Sequence, residues 1–279
     1  MTSLALTRPG VSLLAAVAAA AGSLVAAPRA PASAVASAAG VLILAAGASA
    51  LNQYQDREID ARMERTSGRP LPAGTVRPET ALAVAVILIT AGLLILDLGG
   101  RRAMVLGGLA VAWYNGIYTP LKKRSAVAAV PGALAGALAP AVGGAFAGAR
   151  LDDPRIAALA LVLFIWQIPH FWLLVLGRSG EFRKAGLPNL LDLLSEREAR
   201  REVFLWVLAT AAASVAVAGW GSFGFAPARA AVLAVSLWLA VGAVRFRISP
   251  ARQELSLFRT MNIHMAALLA AICLDRLFL

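Results

Sequence analysis

The residues best suited to chemistry lie just after the second long apolar run. Asn52, Asp56 and Asp60 are spaced four apart. Four residues carry a helix about 40° beyond a full turn, so the three side chains form one stripe, and Glu64 extends it if the helix continues. Carboxylates gathered at the end of an apolar helix repel each other and lose hydration, so they need a compensating cation. Hard oxygen donors in this number suit Mg²⁺, which takes a few carboxylates and completes its shell with phosphate oxygens and water. Arg65 and Arg69 follow at the same spacing and suit forked hydrogen bonds to a diphosphate. An ordinary charged loop would hold Asp56, Asp60, Arg57 and Arg65 as solvated pairs instead. The direct continuation of the stripe from an apolar run argues against that.

Two further clusters carry polar groups at the ends of apolar runs. The first is Tyr118-Thr119-Pro120-Leu121-Lys122-Lys123-Arg124. Tyr118 and Lys122 share a face if a helix survives Pro120, and Lys122 and Lys123 then suit the charge of a departing diphosphate. Taken alone, the segment also reads as an interfacial tyrosine followed by loop lysines. The second is Trp166-Gln167-Ile168-Pro169-His170-Phe171-Trp172, followed by Glu181-Phe182-Arg183-Lys184-Ala185-Gly186-Leu187-Pro188. Gln167 and His170 inside an apolar run cost desolvation unless partnered. Either a ligand or the carbonyl freed by Pro169 is expected to satisfy them.

The elements that hold these groups follow from composition. The chain has 279 residues, 59% apolar and 15% charged, with mean hydropathy +0.74. That leaves too few charges to coat a soluble domain. Apolar runs fall at 11–27, 33–51, 79–98, 103–120, 126–148, 156–176, 202–220, 227–244 and 258–278, each near the ~20 residues needed to cross a bilayer. The expectation is an all-α integral membrane protein of about nine transmembrane helices, forming a single domain over residues 1–279. No period-2 alternation supports a barrel. One cysteine, Cys273, excludes an internal disulfide.

Nine spans place the chain ends on opposite sides. Arg8, the loops after even-numbered spans, and Arg245, Arg247, Arg252 and Arg259 together hold nineteen of the 26 Lys and Arg residues. The other side holds Arg29, Arg101, Arg102, Arg150, Arg155, Arg229 and Arg276. The positive-inside rule puts the N-terminus and motif loops in the cytoplasm and the C-terminus opposite. The formal charge of +11 therefore reflects topology and the lipid bilayer, not nucleic acid. Arg8, an apolar run and the small residues around 26–34 also have the layout of a leader peptide. The length of the run and its part in the charge asymmetry favour a retained span.

Asn52-x-x-x-Asp56-x-x-x-Asp60 followed by Arg65-Thr66-x-x-Arg69-Pro70-Leu71 resembles the first aspartate motif of the UbiA superfamily of intramembrane prenyltransferases. Gly74, Tyr118-Thr119-x-x-Leu121-Lys122-Lys123, Trp166-x-x-Pro169-His170-Phe171 and Ala185-Gly186-x-Pro188 resemble its haem-farnesylating subgroup, the haem O synthases. The likeness runs from Thr7-Arg8-Pro9 to Leu257-Phe258-Arg259. It implies a UbiA-like fold of nine transmembrane helices around a central cavity, with the motif loops capping it from the cytoplasm in a bacterial inner membrane.

The implied reaction moves a farnesyl group from farnesyl diphosphate, with water, to a vinyl group of haem b, giving haem O and diphosphate. Catalysis is expected from Asn52, Asp56, Asp60 and Lys122. Mg²⁺ is expected on Asn52, Asp56 and Asp60 with Glu181 from the opposite loop. Diphosphate would meet Arg65, Arg69, Tyr118, Lys122 and Lys123. His170, with Trp166, is the expected haem contact and His264 a weaker one; the haem–copper oxidase assembly machinery is the implied partner. Departures from the pattern occur at Arg178, where an aspartate is usual, at Glu181, and at Leu187-Pro188-Asn189-Leu190. No second Asp-x-x-x-Asp site exists. Two alternatives stand beside this reading. One is a related enzyme acting on an aromatic acceptor such as a quinone precursor or chlorophyll-like ring; the other is a transporter or lipid-binding protein gated by the charged loops.

Overall fold

Prolines open four of the long helices at the first helical position, where the missing N–H costs nothing. The computed structural model describes residues 5–219, 223–249 and 253–278, so Arg252 lies outside the described residues. The spanning elements are α1 (Pro9–Ala26), α2 (Pro31–Asp60), α3 (Pro78–Asp97), α4 (residues 101–121), α5 (Ala129–Phe146), α6 (Pro154–Leu176), α7 (Glu196–Gly219), α8 (Ala226–Ile248) and α9 (Glu254–Phe278). No strand occurs among the described residues.

Eight of these are single helices long and apolar enough to cross a membrane. The fourth expected span is composite: an α-helix Arg101–Val111, a π-helical stretch Ala112–Tyr118 and a last turn Thr119–Leu121. The expected count is therefore close, and the difference lies in one helix that changes its winding beside the site. The widest departure from the expected boundaries is in α2. It runs nine residues past the apolar run that ends at 51, carrying the Asn52–Asp60 stripe on intact helix.

Each helix packs on the next, and α9 returns to α1, closing a ring of nine; α1 also meets α5 and α6 within it, and α6 meets α9. Small residues allow the closest crossings. A Cβ on Gly22 of α1 would lie 2.1 Å from the Pro140 carbonyl oxygen of α5, and one on Gly143 would lie 1.8 Å from that of Ala19. Between α2 and α3, a Cβ on Gly92 would lie 2.7 Å from backbone of Leu44. Lipid tails are as apolar as leucine, so close van der Waals contact through small residues is what holds such helices together.

Contacts between loops sort the two ends of the ring. The ends of α2, α4 and α6 meet one another through Asp56–Lys122 and through Arg65–Glu181. At the other end, Arg29 N–H donates to the Arg276 carbonyl and Phe225 N–H to Asp275. The motif loops thus share one end with the basic residues counted above, and the end of α9 lies opposite.

Candidate active site

The stripe on α2 is buried: Asn52 is 0%, Asp56 3% and Asp60 5% exposed. The end of α4 holds Asn52 and Asp56, and the loop after α2 holds Asp60. Asn52 Nδ2 donates to Thr119 Oγ1 at 2.9 Å, and that hydroxyl donates to the Tyr114 carbonyl at 2.9 Å. Asp56 accepts a short hydrogen bond from Lys122 Nζ and lies 3.4 Å from Lys123 Nζ. Asp60 accepts from Arg69 at 2.6 Å. The last turns of α2 thus collect the end of α4 and the loop that follows α2 around two carboxylates.

The stripe stops at Asp60, where α2 ends, and the expected continuation through Glu64 does not form. Glu64 is exposed and opens a separate short helix, Glu64–Ser67. Thr66 Oγ1 donates to the Asp60 carbonyl and ends the helix there. Arg69 still reaches Asp60, but by a turn of the loop and not by helical spacing. Gly74, at φ +68°, closes that loop, and the Thr75 and Val76 N–H groups return to the Pro70 carbonyl.

The π-helical stretch sets the next wall. Its wider turn accommodates Pro120 without breaking the helix, so the Lys122 N–H still bonds the Tyr118 carbonyl at 2.9 Å. Tyr118 and Lys122 do share a face, with Nζ 5.6 Å from the ring centre. Asn115, in the same stretch, donates to the Ala48 carbonyl and to Gln55, and Gln55 donates back to the Asn115 carbonyl. The Gln55 carbonyl accepts from Lys123. A single polar ladder therefore fixes the register of α4 against α2.

Behind Lys122 runs a series of rings. Tyr114 stacks on Tyr118 at 5.8 Å, Tyr118 meets Phe171 at 5.7 Å, and His170 meets Phe171, Trp166 and Phe258. Two α5 glycines make room for it. A Cβ on Gly132 would lie 2.3 Å from the Tyr118 ring, and one on Gly136 would lie 1.9 Å from the Gln167 amide nitrogen. Trp166 is 2% exposed and its indole N–H is spent on the Met261 carbonyl of α9, so it backs His170. Both polar neighbours of Pro169 keep an unsatisfied group: Gln167 Oε1, which only a donor could satisfy, and His170 Nδ1 are buried without a hydrogen bond. His264 lies elsewhere, fully buried on α9 with its Nε2 3.4 Å from Ser236 of α8.

Glu181 stands on the loop after α6, in the short helix Ser179–Lys184. One carboxylate oxygen pairs with Arg178 at 3.2 Å and the other accepts the Arg65 N–H at 3.4 Å. The loop itself is seated on α9, whose Glu254 is paired with Arg200 of α7. Arg200 also donates to the Phe246 and Ser249 carbonyls, tying the same ends of α7, α8 and α9 together.

Cations crowd this end. Burial lowers the pKa of Lys122 against the pull of Asp56. Burial also lowers that of Arg69, with Arg8 adding to the effect against the pull of Asp60. For Arg65 the causes are burial, then the charges of Arg69, Arg8 and Arg178. Such a set is relieved by an anion.

The donor set fits a magnesium ion shared with phosphate. Asn52 Oδ1 and Asp56 Oδ1 are buried oxygens that accept no hydrogen bond. Among the described residues no three His, Cys, Asp or Glu side chains gather as a site made wholly of protein ligands.

In the sequence Arg8 is a loop charge and part of the Thr7-Arg8-Pro9 segment where the likeness begins, with no role in the site. Gln53 donates to the carbonyls of both Ala5 and Leu6, which brings the N-terminal segment onto α2. Arg8, at φ +45°, then donates to the Tyr114 hydroxyl, with its Nε buried and unpaired. Gln53, Gln55 and Asn115 were also missed, and Thr119 was named only within the Tyr118–Arg124 segment. Their only sequence signal is polarity at the end of an apolar run.

Comparison with known proteins agrees with this geometry. The model of the UbiA prenyltransferase family matches residues 11–266. The chain is 40% identical to a protoheme IX farnesyltransferase of Geobacter sulfurreducens over 259 residues, 93% of each chain. It is 32% identical to one of Sorangium cellulosum over 244 residues, 87% of each. Among solved structures, a UbiA homologue from Aeropyrum pernix superposes with TM-score 0.78 at 19% identity, covering 97% of this chain and 99% of that one. A UbiA homologue from Archaeoglobus fulgidus bound to DMAPP and Mg²⁺ does so with TM-score 0.71 at 18% identity, covering 98% and 99%. A buried Asn-Asp-Asp stripe ringed by cations, on a closed ring of nine helices, and a family match over most of the chain lead to one conclusion: this chain is an integral membrane enzyme of the UbiA prenyltransferase family.

Proposed function

We propose that the enzyme transfers the farnesyl group of farnesyl diphosphate to the vinyl group of haem b with addition of water, giving haem O and diphosphate. The observation that supports it most is the pair of buried oxygens that accept no hydrogen bond, Asn52 Oδ1 and Asp56 Oδ1, the second of them ion-paired to Lys123 among a surplus of cations. The names of relatives at up to 40% identity over 93% of the chain supply the acceptor.

Asn52, Asp56 and Asp60 would hold Mg²⁺, which when bound withdraws charge from the bridging oxygen and makes diphosphate a better leaving group. Lys122 and Lys123 now neutralise Asp56 and lie where a diphosphate bound beside it can take up their ammonium groups. Arg69, paired with Asp60, and Arg65 offer guanidinium N–H groups from the capping loop. Tyr118 is held by Gly132 and Phe171 beneath Lys122, so charge separates next to a ring face and away from water. His170, with a free Nδ1 and rings on three sides, is the acceptor contact, either to haem iron or to a propionate. Glu181 joins the capping loop to the α6 loop.

The site would face the cytoplasm of a bacterial inner membrane, where nineteen Lys and Arg residues gather. Delivery to the haem–copper oxidase assembly machinery is the implied fate of the product. The test is turnover of the purified protein with farnesyl diphosphate, Mg²⁺ and haem b, followed by mass analysis of the porphyrin. A haem heavier by farnesyl plus hydroxyl is the expected result. Diphosphate release only with an aromatic acceptor would keep the stripe chemistry and discard haem.

A further inference from the structure

Arg178 and Glu181 form a contact that no step above uses. Both Glu181 oxygens are committed, one to Arg178 and one to the Arg65 N–H, so the carboxylate bridges two cationic loops. Arg178 keeps a buried Nε without an acceptor. A buried guanidinium N–H left unpaired is costly, and here no protein oxygen takes it.

The surrounding charge points to the missing partner. Arg8, Arg65, Arg69, Lys122, Lys123 and Arg178 are linked by contact or by their mutual effect on pKa, and Asp56, Asp60 and Glu181 are the carboxylates among them. Six cations against three carboxylates leave a surplus that matches the about three negative charges of an ionised diphosphate ester. One divalent ion added with that substrate leaves about two positive charges over, and a second would leave about four.

Building on the prenyl diphosphate reading, we propose that Arg178, anchored by Glu181 against the Arg65 loop, neutralises the α6 side of the diphosphate, and that the site works with a single divalent cation on the Asn52–Asp60 stripe. A guanidinium does at this position what a second metal ion would otherwise do: it offers fixed positive charge and forked N–H donors to the terminal phosphate. Glu181 is then a positioning residue and not a metal ligand.

The experiment uses the full chain in lipid nanodiscs, farnesyl thiodiphosphate as a non-reacting substrate analogue and Mn²⁺ as a paramagnetic stand-in for Mg²⁺. Electron paramagnetic resonance is expected to count one Mn²⁺ per chain with the analogue present. Arg178→Gln should weaken analogue binding roughly ten- to a hundredfold, the range of a charge-assisted hydrogen bond, and leave the Mn²⁺ count at one. Arg178→Lys, which keeps the charge and guards against misfolding, should retain most of the affinity. Glu181→Gln should leave Mn²⁺ affinity unchanged. Two Mn²⁺ per wild-type chain, unchanged analogue affinity in Arg178→Gln, or Mn²⁺ binding lost in Glu181→Gln would each overturn this proposal while leaving the prenyl diphosphate reading intact. Failure of the wild type to bind the analogue at all would overturn both.

Discussion

Asp56 occupies the middle of the stripe, and its carboxylate is the meeting point of Lys122 and Lys123. Asp56→Asn keeps the volume and removes the charge. Turnover is expected to fall by roughly a hundredfold or more, the cost of losing one preorganised electrostatic contact to a reacting centre, with a higher Mg²⁺ requirement in a metal titration. His170 predicts a different pattern. His170→Ala should raise KM for haem and alter the spectrum of bound haem, yet leave the affinity for farnesyl thiodiphosphate unchanged, because nothing links His170 to the carboxylates except a series of rings. Lys122 supplies the pH dependence. Its pKa is lowered by burial, so the ammonium is present below that lowered value and is lost as pH rises through it. Turnover should therefore decline on the alkaline side at a lower pH than an ordinary lysine would give, and Lys122→Arg should move that limb upward in a kcat–pH profile.

At the scale of elements, the α4 π-helical stretch and the α5 glycines determine where the chemical groups point. Gly136 leaves room for the Gln167 amide, and Gly143 lets α1 approach α5. Gly136→Ala pushes the amide out of its seat at the tip of a side chain that can move, so the expected effect is on acceptor KM with little loss of stability. Gly143→Ala meets backbone instead and is expected to cost about 1–3 kcal/mol, as overpacking does. Thermal unfolding in detergent, read beside steady-state kinetics, separates the two. Arg200 belongs to the same scale. It gathers the ends of α7, α8 and α9 through Glu254 and two carbonyls, and Gly177, where the loop bearing Glu181 begins, lies beside Glu254. Its removal strands a buried carboxylate, so Arg200→Ala should lower the melting temperature and loosen that loop together.

For the molecule as a whole, the ring of nine helices places every motif loop at one end and the end of α9 at the other. With Cys273 replaced by Ser to leave no native thiol, Ser67→Cys should react with an impermeant maleimide only after cells are opened. Asp152→Cys should react in intact cells once the outer membrane is made permeable. The reverse pattern would invert the orientation drawn from the Lys and Arg asymmetry. The closed ring also argues against a transporter: the ion pairs Asp56–Lys122 and Asp60–Arg69 lie at one end of the bundle, not at a midplane between repeats.

What the sequence by itself determined is what depends on local spacing and on solvent. Apolar runs of spanning length dictate helices because no other open structure satisfies the backbone in lipid. The basic loops dictate a shared side, and the fourfold spacing of Asn52, Asp56 and Asp60 dictates a stripe wherever helix persists. Tertiary structure alone decided the partners. Asp56 with Lys122, Asp60 with Arg69, and Glu181 with the Arg65 N–H bring together residues on separate segments of the chain, and no periodicity links them. It also ended α2 at Asp60, where Thr66 captures the terminal carbonyl, so Glu64 left the stripe. Arg8 shows the difference most clearly. In the sequence it is a lone loop charge, and it enters the site only because Gln53 holds the segment before it by two carbonyls, a pairing across nearly fifty residues that depends on how α1 and α2 pack.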